Sequence, residues 1–232
     1  IRRHGQVHQQ AVDKKISMGM YEEYQKTRWV DINKDIEALT EISHQVSRER
    51  AVEPQNTYTG KIDLNFDEIQ SIKFTPEEEV AFHTPSTGGI SQKMHEGMIT
   101  GNWVGKHHFD DNHEIHKPIQ EKFGITKTQA VLNVQRPGYL CGVHIDKHRN
   151  YTVNGTYDFS NTLTENIFRG IIFCNDWELG QVFITGHETI TNWKQGDTYV
   201  FPWYMFHGSA NASAGTRHLI MFMGDNGELT KK

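Results

Sequence analysis

The spacing of apolar residues along the chain changes character near Gly124. Before this point, apolar residues recur every three or four positions over residues 31–50, which predicts an amphipathic helix. The residues on its apolar face are Ile32, Ile36, Leu39, Ile42 and Val46. After Gly124, short alternating or wholly apolar runs are separated by turn residues, which predicts strands. The predicted strands are 128–135, 139–146, 167–174, 181–185, 188–193, 198–201, 206–212 and 216–223.

The rest of the chain carries weaker patterns. A short helix is predicted over residues 16–24, and a second over residues 111–123, with Gly124 as its stop signal. Residues 53–75 are interpreted as a loop with short extended pieces and a turn at Tyr58-Thr59-Gly60, and residues 74–104 as irregular. The polar connection 147–165 is long for a compact domain, so it is equally well interpreted as a substrate lid or as a passive loop.

This order of elements predicts a mainly β fold. Eight short strands in succession are typical of a double-stranded β-helix, the jelly-roll architecture of cupin-like proteins. The length of 232 residues suits one domain, here 1–232, with residues 1–127 as a helical and irregular support region and 128–224 as the jelly-roll core. Only 36% of residues are hydrophobic, but 11% are aromatic and bury large areas each.

Charge and cysteine content narrow the partners and the compartment. The net charge of −5 and the isoelectric point near 6.3 do not favour general binding to nucleic acid. Cys141 and Cys174 lie in apolar runs rather than in a metal-binding spacing, so both are expected to be reduced thiols. No run is long enough to cross a membrane and no signal peptide is recognised, which makes a cytoplasmic location the expectation.

The candidate chemistry lies on two of the predicted strands. Side chains alternate along a strand, so His144 and Asp146 share one face. Adding His207 from a later strand gives two nitrogens and one oxygen, the donor set that holds non-haem Fe(II) with coordination positions open. Arg217, ten residues further on, offers a rigid cationic fork suited to a carboxylate. The alternatives are a surface His–Asp pair and an internal ion pair of the arginine.

The same residues resemble the Fe(II)/2-oxoglutarate-dependent dioxygenases, in particular the prolyl-hydroxylase-like members. The His-x-Asp motif, the distant His207 and Arg217 follow the family order. Further matching pieces over residues 130–224 are Pro137-Gly138-Tyr139, Glu178-Leu179-Gly180-Gln181, Trp193-Lys194-Gln195-Gly196-Asp197 and Phe201-Pro202. A jelly-roll core is also what this family has.

The resemblance implies a set of roles. His144, Asp146 and His207 would bind Fe(II), and Arg217 would bind the distal carboxylate of 2-oxoglutarate. The candidates for further cosubstrate contacts are Asn133, Gln135 and Tyr139. The reaction would use O2, with ascorbate as a reductant, release succinate and CO2, and hydroxylate an unactivated C–H bond. Because Asp146 is present, hydroxylation is favoured over halogenation, and peptidyl proline or another amino-acid side chain is the favoured substrate.

Two other functions stay open at this stage. One is a cupin-like metalloenzyme that does not use 2-oxoglutarate, and the other is a non-catalytic jelly-roll binding protein. Arg169 and Asn211 are further candidates for lining the site, while Arg169 equally suits a cap on the sheet edge. His113 and His116 lack the spacing of a helical zinc site, so no second metal is predicted there. His218 is expected to face away from Arg217.

Overall fold

The structure is a computed structural model that describes residues 57–74, 104–125, 127–144, 168–186, 188–202 and 205–225. The predicted helices 16–24 and 31–50 and the connection 147–165 lie outside these ranges. The strands are β1 (Thr57–Lys61), β2 (Gly105–His108), β3 (Lys127–Gln135), β4 (Leu140–His144), β5 (Phe168–Phe173), β6 (Gln181–Thr185), β7 (Glu188–Ile190), β8 (Asp197–Pro202), β9 (His207–Asn211) and β10 (Arg217–Asp225). The helices are α1 (Phe66–Ser71) and α2 (His116–Phe123).

Two antiparallel sheets form the core. One has six strands in the order β1-β8-β5-β10-β3-β2, and the other has four in the order β4-β9-β6-β7. Each of the eight predicted strands corresponds to one of β3–β10, so the jelly-roll prediction for this part of the chain is confirmed. β1 and β2 extend the larger sheet at its two edges.

Apolar side chains pack on both faces of the larger sheet. On one face Ile172, Ile220 and Phe222 pack beneath the helices, with Ile119 from α2 fully buried among them. On the other face Ile171, Phe173 and Leu219 meet Phe183 and Trp193 between the two sheets. Phe173 and Trp193 stack with ring centroids 4.0 Å apart. This second cluster forms the interior of the jelly roll. Arg217 lies on the same face of β10 as Leu219 and therefore also points into this interior.

Three local predictions differ from the structure. Tyr58-Thr59-Gly60 lies within strand β1 rather than in a turn, and the positive φ of 82° at Gly60 coincides with a register shift between Tyr58 and Lys61. Helix α2 begins at His116 rather than near Asp111, because Nδ1 of His113 accepts the N–H of Ile115 and competes with helical bonding. β2 and α1 were not predicted.

No helix in the described ranges combines the length and the apolar character required to cross a membrane.

Candidate active site

Two histidines face each other across strands β4 and β9. The antiparallel register pairs His144 directly with His207, and their ring centroids are 4.5 Å apart with an angle of 53° between the planes. His207 is buried at 3% exposure, and its ring lies 5.5 Å from that of Phe201 and 6.5 Å from that of Phe183. The imidazoles are therefore close enough to share one ion and sit in a largely apolar setting.

Each imidazole is held through its Nδ1 atom. His144 Nδ1 lies 2.7 Å from the carbonyl oxygen of Gly142, and His207 Nδ1 lies 3.1 Å from the carbonyl oxygen of Met205. A carbonyl oxygen only accepts, so Nδ1 must be the donor in both rings. In the neutral ring this leaves Nε2 as the basic nitrogen, which is the arrangement used by metal-binding histidines. The donor chemistry of the pair thus fits a ferrous ion.

A bulge in β4 decides which side chains accompany His144. Cys141 pairs with Ser209 and His144 with His207, so three steps on β4 match two on β9. Simple alternation would place Cys141 and His144 on opposite faces, but the extra residue brings both to the same cavity. The Cys141 sulfur lies 3.8 Å from His144 Nδ1.

The third predicted ligand, Asp146, lies outside the described residues, as does His148. Within the described part of the chain, no group of three or more histidine, cysteine, aspartate or glutamate side chains is arranged to hold a metal ion. The assignment of Asp146 to the metal stays a prediction.

Arg217 is buried at 1% exposure on the interior face of β10. Its Nη1 donates to the carbonyl oxygen of Val182 at 2.8 Å, its Nη2 donates to Oε1 of Gln135, and its guanidinium lies 6.0 Å from the ring of Phe183. Desolvation by burial lowers the pKa of Arg217 to about 9, which still leaves the group charged at neutral pH. No salt bridge forms between Arg217 and another described residue.

Both histidines and Arg217 line one cavity of about 50 Å³. The remaining lining residues are Val104, Lys106, Asn133, Gln135, Cys141, Phe183, Gly208, Ser209, Leu219 and Met221. Three of the polar groups carry a buried atom with no hydrogen-bond partner among the described residues: Nε of Arg217, Nε2 of Gln135 and Oδ1 of Asn133. Such atoms are costly to bury without a partner, so the cavity suits a polar ligand.

Asn133 and Gln135 reach this cavity because β3 pairs with β10. Gln135 lies opposite Arg217 and Asn133 opposite Leu219, so alternate β3 residues face the interior. Tyr139 instead packs against the core cluster beneath the helices and is not among the described residues that line the cavity. Its contact with a cosubstrate stays a prediction.

The other two candidates have different surroundings. Arg169 is buried at 1% exposure, paired with Phe201 and Met223 on the strands beside it, so it faces the jelly-roll interior and does not cap an edge. Asn211 organises the β9–β10 turn. Its Nδ2 donates to the carbonyl oxygens of Gln135 and Gly215, both at 2.8 Å, and its Oδ1 accepts from the hydroxyl of Ser213 at 2.7 Å.

The histidines near α2 are occupied locally. His116 is buried, and its Nε2 donates to the carbonyl oxygen of Asp110 at 3.0 Å, while His113 accepts the N–H of Ile115. His113 lines a second, larger cavity of about 800 Å³ between α1, α2 and β2, on the opposite face of the larger sheet from Arg217. His218 pairs with Val134, one position along from Arg217, and therefore faces away from it as expected.

Sequence reasoning missed Lys106, Cys141, Ser209 and Phe183 as lining residues of the histidine cavity. The alternation of β6 could have indicated Phe183, which shares a buried face with Gln181 and Thr185. The alternation of β9 could likewise have indicated Ser209, which is two residues from His207. Lys106 and Cys141 depend on strand pairing and on the bulge in β4, neither of which leaves a sequence signal.

Comparison with known proteins gives similarity in structure only. No protein-family model matches the chain, and no curated protein matches it. A prolyl-4-hydroxylase from Pseudomonas putida covers 80% of this chain and 100% of its own at 11% identity, with a TM-score of 0.44. A viral collagen prolyl hydroxylase from Paramecium bursaria Chlorella virus-1, in a 2-oxoglutarate complex, covers 74% and 97% at 13% identity, with a TM-score of 0.42.

A cupin-domain protein from Salinispora arenicola covers 53% of this chain and 77% of its own at 11% identity, with a TM-score of 0.31. Solved structures with detectable similarity thus include both prolyl hydroxylases and cupins. At such low similarity, function has to be inferred from this chain's own residues.

Proposed function

We propose that the chain is an Fe(II)- and 2-oxoglutarate-dependent oxygenase that hydroxylates an unactivated C–H bond. The observation that carries the proposal is the joint lining of one cavity by a facing His144–His207 pair and by the buried cation Arg217. A jelly-roll metalloprotein that does not bind a keto acid has no need for a desolvated arginine at this position. A diacid with a keto group gives each of these side chains a partner.

In this proposal His144, His207 and Asp146 hold the iron, with Asp146 assigned from the sequence motif. The hydrogen bonds from the two Nδ1 atoms to backbone carbonyls keep Nε2 available as a ligand. The iron, when bound, supplies the O2 chemistry that oxidises the keto acid and the substrate C–H bond.

Arg217 holds the distal carboxylate of 2-oxoglutarate. The Arg217 Nε that has no partner within the described residues and the Nε2 of Gln135 are two donors of residues that line the same cavity. A carboxylate accepts both, and its charge offsets the cost of burying Arg217. Asn133, two positions before Gln135 on the same face, can turn its amide to donate to the keto-acid end. Apolar Phe183 and Leu219 exclude water around these contacts.

The test is succinate release from 2-oxoglutarate with Fe(II), O2 and ascorbate, together with calorimetric binding of Mn(II) and of 2-oxoglutarate. We expect 2-oxoglutarate to bind only after Mn(II), and His207→Ala to lose metal binding. The matched control is His113→Ala, which removes a histidine on the opposite face of the larger sheet.

Metal binding without 2-oxoglutarate binding or succinate would replace the proposal with a metalloenzyme that does not use a keto acid. Loss of both kinds of binding would leave a non-catalytic binding protein. The substrate is sought with a panel of proline-containing peptides and free amino acids, scored by the increase in succinate that each one causes.

A further inference from the structure

We propose that Lys106 is a second cationic anchor of the cosubstrate, binding the carboxylate next to the keto group. The inference rests on the proposed function and extends it to a residue on β2, the edge strand that lies outside the eight-stranded jelly roll. It begins from one observation. Lys106 lines the same small cavity as His144, His207 and Arg217.

Strand register explains how an edge residue reaches the cavity. Lys106 pairs with Asn133, and Asn133 pairs with Leu219, so the three lie in one row across β2, β3 and β10. Both Asn133 and Leu219 face the jelly-roll interior. Paired residues in an antiparallel sheet direct their side chains to the same face, so Lys106 points to that side as well.

The spacing between the two cations suits a short diacid. Arg217 lies in the row of Gln135, and Lys106 lies in the row of Asn133, two residues along β3. Two residues of an antiparallel strand advance by about 7 Å. The carboxyl carbons of 2-oxoglutarate are joined by four carbon–carbon bonds of about 1.5 Å each, giving a span of roughly 5 Å. The flexible lysine stem accommodates the difference.

Charge favours the same occupant. The described residues that line the cavity include two basic side chains, Lys106 and Arg217, and no aspartate or glutamate. The side chain of Lys106 makes no hydrogen bond and no ion pair with another described residue, and the residue is exposed. Its ammonium group therefore stands at the rim of the cavity, where an anion entering between the sheets would meet it. The carboxylate oxygen that does not ligate the metal is an acceptor in that position.

Two ligands separate the roles of the two cations. 2-Oxovalerate keeps the keto group and its adjacent carboxylate but lacks the distal one, so it reports on Lys106 and not on Arg217. Affinities of both keto acids for the Mn(II)-loaded protein are measured by calorimetry, or by competition where binding is weak. The variants are Lys106→Gln, Lys106→Arg and the control Lys117→Gln, which changes an exposed lysine on α2.

We expect Lys106→Gln to weaken the binding of 2-oxoglutarate and of 2-oxovalerate by the same factor, about fivefold. The factor is modest because solvent partly screens a charged contact at an exposed rim. Lys106→Arg should restore most of the affinity, and Lys117→Gln should change nothing. Unchanged affinities in Lys106→Gln would overturn the assignment, and so would a loss confined to 2-oxoglutarate, which would connect Lys106 with the distal carboxylate. If the unmodified protein binds neither keto acid, the proposed function fails first and this inference fails with it.

Discussion

Replacing Arg217 by methionine separates a binding role from a structural one. Methionine has a similar length and no charge, so it fills the space of the arginine stem without leaving a large void. If Arg217 binds the cosubstrate, its removal should change the stability of the fold little and weaken the binding of 2-oxoglutarate strongly. If it serves the fold, the reverse holds.

The expected change in stability is small because two large contributions oppose each other. Burial lowers the pKa of Arg217 from 12.5 to about 9, and at about 1.4 kcal/mol per pH unit the desolvation of its charge costs about 5 kcal/mol. Methionine removes that cost. It also leaves the Val182 carbonyl and the Gln135 amide oxygen without their donor, at about 1–3 kcal/mol each. The free energy of unfolding should therefore change by less than about 3 kcal/mol.

Ligand binding should respond strongly. Losing a buried, charge-assisted contact to a carboxylate is expected to lower the affinity for 2-oxoglutarate about a hundredfold. Urea unfolding of the Mn(II)-loaded protein, with and without 2-oxoglutarate, measures both effects in one assay. At a ligand concentration of about 100 Kd, the unmodified protein should gain about 2.7 kcal/mol of stability, and Arg217→Met should gain almost none.

This reasoning would be refuted if the substitution changed stability strongly and left ligand affinity unchanged. A loss of more than about 4 kcal/mol of intrinsic stability with unchanged 2-oxoglutarate affinity would make Arg217 a structural residue held by Val182 and Gln135. 2-Oxovalerate provides the internal control, because its affinity should be the same in both proteins.

Three further predictions concern stability and are each measured by urea unfolding. Gly180→Ala should lower the free energy of unfolding by at least about 3 kcal/mol, because Gly180 has a φ of 101° and an added Cβ would lie 2.8 Å from the Ala212 carbonyl carbon. The control Gly138→Ala, at a φ of 83° with open space around the added Cβ, should lower it by only about 1 kcal/mol. Equal losses in the two variants would contradict the steric account. Asn211→Ala should cost about 3 kcal/mol, since it breaks the bonds to Gln135, Gly215 and Ser213; a loss below 1 kcal/mol would show that the turn does not need them. Burial lowers the pKa of His116, so the unfolded chain binds a proton at this residue more readily than the folded one, and stability should fall as the pH drops below about 6.5. His116→Gln should make stability depend less steeply on pH between about 7.5 and 5.5. An unchanged pH dependence would assign the loss of stability to other groups.

The local patterns of the sequence determined the eight strands of the jelly roll and the residues that face its interior. Alternation and turn residues are properties of neighbouring positions, so they are visible without a fold. For the same reason the alternation along the strand predicted that Asn133 and Gln135 share a face, and the structure brings both to one cavity with Arg217.

Only tertiary structure decided which other side chains share that cavity. Lys106 belongs to a segment without a strand pattern, and it reaches the site because β2 pairs with β3 in a particular register. Cys141 is three residues from His144, and a bulge in β4 overrides the alternation that would have separated them. Tyr139 follows Gly138, whose φ of 83° turns the chain, and it packs beneath the helices. Register, bulges and turn direction depend on contacts between residues far apart in the chain, and such contacts leave no periodic signal in the sequence.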